Sequence, residues 1–362
     1  MSNTNSLIER AGRWFLDSGI RETGGGVARY YRSDLSANAR VSTEISGYAV
    51  SALVYLYQET GVAEYLDAAL ETARFLARSA WDAKTSVFPF EHSTNGNQPQ
   101  ALAYFFDCGI ITRGLLAVWR VSKQDEFREA AVAAGQSMAA DFCERSVIHP
   151  ILALPAKRPL ACEPRWSAMP GCYQLKSAMA WYELFEVTGE MEFRRAYELA
   201  LETALMNEHD FLPGDSSREK VMDRLHAYLY FLEGLLPVLD RSECAQVYRA
   251  GIERVAAYLS QIAPVFVRSD VYAQLLRVRL YGESMAGIPL DRAAAAQEAE
   301  QAAGFQMQSG DRRVDGGFLF GRKGSEPLPY VNPVSTAFCV QAISQWDDRK
   351  KNAFVPRRQS LI

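Results

Sequence analysis

Apolar and polar residues recur with the helical period along almost the whole chain, in two kinds of segment that follow one another. One kind is apolar on nearly every side and contains small residues: Ile45–Tyr57, Tyr104–Trp119 and Tyr173–Val187. The other kind carries charges at positions i, i+3 and i+4: Glu64–Ser79, Glu126–Phe142 and Glu192–Glu208. A helix that is apolar all round is buried, whereas an amphipathic helix covers a core with one face. The pattern therefore predicts inner helices that alternate with outer helices.

A short sequence repeat precedes and enters each of these outer helices. The same offsets recur in Thr60-Gly61 with Tyr65 and Ala68, Ser122-Lys123 with Phe127 and Ala130, and Thr188-Gly189 with Phe193 and Ala196. The period is 62 and then 66 residues. Because common helical repeats span about 34 to 47 residues, each unit here must also hold a long loop. Continuing the count predicts six inner helices, near 44–57, 104–119, 172–187, 224–238, 270–281 and 332–346.

Six helical hairpins favour a closed ring, because closure buries both ends of the array and removes the need for polar capping repeats. The sequence thus predicts an all-α fold with one domain over 1–346 and a mobile basic tail over 347–362. The turns from inner to outer helices are short, and the loops from outer to inner helices are about 10 to 28 residues long. Since successive helices run antiparallel, we expect the long loops and the inner-helix N-termini to share one functional face.

The composition narrows the class of protein. The 362 residues are 48% hydrophobic and 23% charged, as in soluble globular proteins. The formal net charge is −4, so the protein as a whole has no positive field that would attract nucleic acid, and nucleic-acid binding is disfavoured. The polar N-terminus and the lack of an apolar run of about 18 residues predict a cytosolic protein without membrane partners. The six cysteines are scattered without a C-x-x-C pair and only four histidines occur, so we expect buried free thiols, no metal and no cofactor.

With this repeat pattern, nearly the whole chain resembles the (α/α)6 toroids: six-hairpin glycosidases, unsaturated glucuronyl hydrolases, N-acylglucosamine 2-epimerases, and the terpenoid cyclases with protein prenyltransferases. The FDCG sequence at Phe106–Gly109 is similar to the FD-x-G opening of inner helices in bacterial toroids of polysaccharide gene clusters. The last loop, Gln308–Tyr330, resembles the Q…DGGF segments of prenyltransferase β subunits and cyclases. The cyclase D-x-D-D acid and a prenyltransferase-like zinc set are absent, so this loop supports the fold and not that chemistry.

In such a fold, side chains at the start of an inner helix point into the central funnel. The polar and aromatic residues at these positions are Glu44, Asp107, Tyr173, Gln174, Lys176, Arg224, His226, Asp270, Tyr272, Gln274, Asn332 and Ser335. Some can serve as helix caps instead, since Asp, Asn and Ser satisfy the free N–H groups of a first turn. Capping is the preferred interpretation for Asp270 and Asn332.

Asp107 follows three aromatic residues and precedes Cys108-Gly109, an apolar setting that raises a carboxyl pKa towards that of a general acid. Glu44 takes the equivalent place in the first hairpin, where it could also complete a helix N-terminus. Glycoside hydrolysis needs two such carboxyls, one to protonate the leaving oxygen and one to activate water or stabilise the cationic transition state. We therefore predict Asp107 as the acid and Glu44 as its partner.

His226 is a third catalytic candidate, as a base or a ligand of a sugar hydroxyl, although a structural histidine fits equally well. The 2-epimerases are expected to use two histidines, and His92 is the only second candidate here. Cations near the long loops predict an anionic ligand such as a uronate, with ordinary loop charge as the alternative: Arg40, Arg165, Lys176, Arg224, Arg268, Arg322 and Lys323. Aromatic residues could stack on sugar faces or belong to the core, among them Trp166, Tyr173 and Tyr272.

The function that these features predict is a cytosolic carbohydrate-active enzyme of glycosidase, lyase or epimerase type, acting on an anionic saccharide. Two alternatives remain open at this stage. The chain could be a non-catalytic saccharide-binding or scaffold protein of a polysaccharide-biosynthesis system. It could also be a terpenoid-type enzyme, which would require a deep apolar cavity.

Overall fold

The computed structural model describes residues 2–91, 101–145, 147–263 and 265–362. Within these ranges the chain forms twelve α-helices joined by loops and short strands. They are α1 Ser2–Asp17, α2 Thr43–Thr60, α3 Ala63–Arg74, α4 Phe105–Ser122, α5 Asp125–Asp141, α6 Leu175–Thr188, α7 Met191–Phe211, α8 Arg218–Gly234, α9 Ser242–Ile262, α10 Ser269–Ala286, α11 Arg292–Ala303 and α12 Pro333–Lys350. The even-numbered helices correspond to the six predicted inner helices, with α8 shifted towards the N-terminus, and bury most of their residues, which confirms the predicted alternation.

The sequence repeat before the outer helices is a helix-ending motif. In α2 and α6 the Thr60 and Thr188 hydroxyls donate to the carbonyls of Leu56 and Leu184. The glycine that follows, Gly61 in the first case, adopts a left-handed conformation with φ 71°, which glycine does without steric cost. Lys123 takes the same conformation after α4 at φ 57°. The short turns between inner and outer helices are therefore encoded locally.

Eleven strands of two or three residues lie in the loops that precede inner helices or in the 30–40 region: β1 Tyr31–Arg32, β2 Ala37–Asn38, β3 Leu102–Tyr104, β4 Cys143–Glu144, β5 Val147–Ile148, β6 Ile151–Ala153, β7 Arg158–Pro159, β8 Phe266–Arg268, β9 Gly321–Lys323, β10 Glu326–Pro327 and β11 Tyr330–Val331. They pair antiparallel in the orders β11-β1-β2, β10-β9-β8, β3-β6-β7 and β4-β5. In the part of the chain that the structure describes, no larger sheet occurs.

The chain divides into two compact units, each described by itself. The α4 unit comprises Arg21–Arg29 and Arg40–His209, and in it α4 packs against α2, α5 and α6. Gly109 brings α4 close to α6, because a Cβ there would lie 2.5 Å from the Cβ of Ser177. Gly114 does the same towards α2, where a Cβ would lie 2.6 Å from the carbonyl oxygen of Gly47. The glycine of the FDCG sequence is thus required for helix packing.

The α10 unit comprises Met1–Ile20, Tyr30–Ala39 and Asp210–Ile362, and in it α10 packs against α8, α9, α11 and α12. A fully buried ion pair between Arg277 of α10 and Glu233 of α8, at 2.5 Å, lies within this packing. The last residues, expected to form a mobile tail, contact the same helices. Leu361 and Ile362 are buried, and Gln341 of α12 hydrogen-bonds to the backbone of Ser360 and Ile362.

The start of α8 corrects one prediction. The helix begins at Arg218, six residues before the predicted position, so Arg224 and His226 lie in its second and third turns instead of its first. Pro213 and Gly214 separate α7 from α8, and residues 218–220 are exposed and charged. This first turn has no apolar face, and therefore hydrophobic periodicity could not reveal it.

Among the described residues, no helix combines the length and the apolarity needed to cross a bilayer. The six cysteines are free thiols, four of them buried, with Cys143 half-buried and Cys162 exposed. The same residues contain no cluster of three potential metal ligands.

Candidate functional site

Asp107 occupies the first turn of α4 without capping it. The N-cap position belongs to Tyr104, whose side chain makes no capping hydrogen bond. The Asp107 side chain is only 4% exposed, and its Oδ2 has no hydrogen-bond partner among the described residues. Because an unpartnered buried carboxyl oxygen costs free energy, a position of this kind is typical of groups reserved for a ligand or a reaction.

Glu44 lies in the first turn of α2 and is half-buried. Ser42 supplies the cap of this helix, accepting a hydrogen bond from the Ile45 amide, so Glu44 is not needed to complete the N-terminus. The carboxyls of Glu44 and Asp107 interact electrostatically, which places them at one locality of the α4 unit. The joint action of these two carboxyls in a reaction stays a prediction.

Burial shifts both carboxyls towards the protonated form. Desolvation raises the pKa of Glu44 to about 7, and the charge of Arg29 acts in the opposite direction. The pKa of Asp107 lies well above its ordinary value, first because of burial and then because of the nearby Glu44 carboxylate. Both shifts therefore favour the protonated forms, and the two carboxyls titrate as a pair.

The raised pKa of Glu44 predicts a pH-dependent gain in stability for Glu44→Gln. A carboxyl that binds its proton more tightly when folded favours folding below its unfolded pKa of about 4.5, and this contribution is lost as the pH rises through about 7. The variant should match the wild type near pH 4.5 and exceed it by about 1 to 3 kcal/mol at pH 8. Urea unfolding at several pH values measures this. Glu64→Gln, an exposed first-turn carboxyl of α3, is the control and should show no such trend.

Two residues beside this pair escaped the sequence analysis, namely Arg29 and Tyr104. Tyr104 is half-buried, and its phenol interacts electrostatically with Asp107, Arg165 and Arg29. Its ring lies 4.8 Å from that of Phe90, over which the Arg29 guanidinium sits at 5.5 Å. Tyr104 is one of the three aromatic residues that precede Asp107, whereas Arg29 is brought here by backbone pairing of segments distant in sequence.

The other candidates of the α4 unit differ in their availability. Trp166 is half-buried and packs edge-on against the buried Tyr173, whose hydroxyl donates to the Met169 carbonyl at 3.1 Å. Lys176 is fully buried in the first turn of α6. Gln174 accepts from the Gly171 amide and donates to the Ile148 carbonyl, so both its polar atoms support the backbone. Arg40 is held by Glu91 at 2.7 Å.

In the α10 unit, His226 is the centre of a buried polar cluster. Its Nδ1 lies 2.6 Å from Gln274 Oε1 and 3.6 Å from Asp270 Oδ2. Arg268 donates to both Asp270 oxygens, at 3.0 and 2.6 Å, and to Asp223 at 2.8 Å. Since both oxygens that face Nδ1 accept hydrogen bonds, Nδ1 carries the proton and Nε2 keeps its lone pair.

Charge and burial keep His226 neutral. Desolvation lowers its pKa to about 4, and Arg268 lowers it further against the opposing influence of Asp270. For Asp270, burial acts to raise the pKa, but Arg268 and His226 outweigh it and hold the pKa below its ordinary value. Asp270 is thus part of an ion pair, and the N-cap position of α10 is Arg268, whose side chain makes no capping hydrogen bond.

We expect 15N NMR of imidazole-labelled protein to show His226 as the Nδ1–H tautomer from pH 5.5 to 8. The reason is the acceptor pair at Nδ1 together with a pKa of about 4. The chain has four histidines, so His226→Asn assigns the signal directly. Gln274→Leu should reduce the Nδ1–H population. A proton found on Nε2 in the wild type would contradict this assignment.

The remaining candidates of the α10 unit are also placed. Asn332 caps α12, accepting from the amides of Val334 and Ser335, as expected. Arg224 is half-buried and donates to the Phe211 carbonyl at 3.1 Å, and Tyr272 is 9% exposed. His92, the other histidine considered for catalysis, lies outside the described residues.

Solved structures resemble this chain along almost its full length. A sugar epimerase from a ruminal bacterium has a TM-score of 0.74 at 12% identity, covering 95% of this chain and 98% of that one. A cellobiose 2-epimerase from Spirochaeta thermophila DSM 6192 has 0.71 at 13%, covering 96% and 98%. An unsaturated glucuronyl hydrolase from Bacillus sp. GL1 has 0.67 at 14%, covering 97% of each chain. Neither a family model nor a curated protein sequence matches.

The fold is the (α/α)6 toroid. Twelve helices in the predicted alternation and these likenesses confirm the fold class that the repeat pattern indicated. In the (α/α)6 fold, α2, α4 and α6 are the inner helices of the α4 unit, and Glu44 and Asp107 begin two of them. At these identities the likeness concerns the fold, so the chemistry depends on the residues of this chain.

Proposed function

We propose that this protein is a carbohydrate-active enzyme that cleaves a glycosidic bond in an anionic saccharide. One observation carries the proposal: a buried, protonatable Asp107 whose Oδ2 has no partner among the described residues interacts with a second carboxyl, Glu44. The fold agrees with this, since proteins of the same fold include sugar epimerases and a glucuronyl hydrolase. The single domain over 1–346 and the cytosolic location remain predictions.

In the proposed reaction, Asp107 is the general acid and Glu44 the partner carboxylate. The proton of Asp107 moves to the glycosidic oxygen as the bond between that oxygen and the anomeric carbon breaks. A water molecule forms the new bond to the anomeric carbon and gives a proton to Glu44. A pKa of about 7 lets Glu44 accept this proton at neutral pH and pass it on after each turnover.

Further residues are proposed to bind the sugar. In the α4 unit, the half-buried Trp166 offers an aromatic face for a pyranose ring, and Lys176 orients the substrate from the first turn of α6. For the α10 unit, taken by itself, we propose that Nε2 of His226 accepts a hydrogen bond from a hydroxyl of a ligand bound there and that Arg224 orients that ligand, because Nδ1 is already engaged. A neutral imidazole also suits the proton transfer of an epimerase, which makes epimerisation the second candidate.

To test this, the purified protein is incubated with a panel of uronate-containing oligosaccharides and their neutral counterparts, and the products are analysed by 1H NMR. A new reducing end identifies hydrolysis, a new carbon–carbon double bond identifies a lyase, and an inverted centre with intact linkages identifies an epimerase. Saturable binding without turnover would favour the non-catalytic saccharide-binding alternative. The terpenoid-type alternative would require turnover of a polyprenyl substrate instead.

A further inference from the structure

Backbone pairing places Arg29 beside the first turn of α2. The Arg29 amide donates to the Arg40 carbonyl at 3.0 Å, and the Ser42 amide donates to the Val27 carbonyl at 3.0 Å. On the same segment, the Val27 amide donates to the hydroxyl of Ser46 at 2.9 Å. Segment 27–29 is therefore fastened along the residues that lead into α2, where Glu44 lies.

Among the described residues, Arg29 differs from the arginines around it in having no acidic partner. Arg21 pairs with Glu71 at 3.0 Å and Arg40 pairs with Glu91 at 2.7 Å. Across the described ranges, the exposed Arg29 side chain makes neither a salt bridge nor a hydrogen bond, and its contact is with the ring of Phe90 at 5.5 Å. A guanidinium on an aromatic face keeps its N–H donors available at its edge.

The charge of Arg29 nevertheless acts on the carboxyl pair. It opposes the rise in the pKa of both Glu44 and Asp107, and it also acts on Tyr104. Arg29 thus lies near the proposed reacting carboxyls, and its N–H donors have no hydrogen-bond partner in the part of the chain that the structure describes.

We propose that Arg29 binds the carboxylate of a hexuronate residue next to the bond that Asp107 protonates, and so selects anionic over neutral saccharides. The proposal rests on the proposed function and adds to it the residue that recognises the substrate. A guanidinium binds a carboxylate through two parallel N–H donors, which a lysine cannot reproduce. Arg40, expected from the sequence to contribute here, is already in an ion pair with Glu91.

Calorimetric titration with a matched pair of probes, cellobiouronic acid and cellobiose, tests this. The wild type should bind the acidic probe more tightly than the neutral probe. Arg29→Met should lose about 10-fold or more in affinity for the acidic probe, the usual value of a charged hydrogen bond, and leave affinity for the neutral probe unchanged. Arg29→Lys should recover only part of the loss. Arg21→Met, which removes the neighbouring arginine that pairs with Glu71, should behave as the wild type.

Two failures can be told apart. If the wild type prefers the acidic probe and Arg29→Met retains that preference, Arg29 is not the selecting residue, while the proposed function stands. If the wild type shows no preference for the acidic probe, the anionic substrate class is wrong, and the role proposed for Arg29 is then wrong as well. Circular dichroism of each variant shows whether the fold is retained.

Discussion

Asp107→Asn is expected to lower turnover by at least about 100-fold, the usual contribution of a general acid. Asparagine keeps the shape of the side chain and cannot supply the proton. Burial and the nearby Glu44 carboxylate raise the pKa of Asp107 and so favour its neutral form, which asparagine resembles in shape and charge. The melting temperature should therefore stay within a degree or two of the wild type at neutral pH and should not fall in mildly alkaline solution. Steady-state rates and thermal unfolding of both proteins measure these effects.

The matched control is Asp125→Asn, which changes an exposed carboxyl in the first turn of the outer helix α5 and should leave turnover unaffected. Ligand binding by Asp107→Asn should also persist, because the proposed acid acts on the leaving oxygen and not on substrate recognition. If instead the variant keeps its activity and loses several degrees of melting temperature, Asp107 is a structural residue of the first turn and the assignment is wrong.

Glu183→Gln should destabilise the protein by about 3 to 5 kcal/mol. Glu183 of α6 is 1% exposed and accepts from Arg113 at 2.8 Å and Arg120 at 2.7 Å, both of α4. Removing its charge leaves two guanidinium groups without their shared carboxylate, and Arg113 is itself buried. Urea unfolding at pH 7 measures the loss. Glu186→Gln changes an exposed carboxyl on the same helix and should stay within about 0.5 kcal/mol of the wild type.

The same ion pairs predict how acid weakens the protein. Burial acts to raise the pKa of Glu183, but Arg120 and Arg113 outweigh it and hold the pKa below its ordinary value. A lowered folded-state pKa stabilises the protein above the unfolded value of about 4.5, and this contribution disappears as the pH falls through the folded value. The difference between wild type and Glu183→Gln should therefore shrink in acid. A difference below 1 kcal/mol at pH 7 would show that the pairs contribute little.

Some residues of the candidate site could be predicted from the sequence, and others could not. Asp107 and Glu44 were predicted because each begins an apolar helix, and their positions depend on a few neighbouring residues. Arg29 was missed because it reaches Phe90 and the α2 N-terminus through backbone pairing between segments distant in sequence. Likewise, the proton on His226 is decided by Gln274, 48 residues further along the chain. No local pattern encodes either arrangement.

The twelve-helix alternation, and hence the fold class, follows from the local pattern of residues, because burial periodicity and helix-ending motifs such as Thr60-Gly61 act over one or two turns. The tertiary structure shows which polar side chains already have hydrogen-bond or ion-pair partners. It assigned Gln174 and Asn332 to backbone hydrogen bonds, Arg40 to Glu91, and left Asp107 Oδ2 without a partner among the described residues. Helix formation depends on neighbouring residues, whereas the pKa and the availability of a side chain depend on desolvation and charges contributed by distant segments.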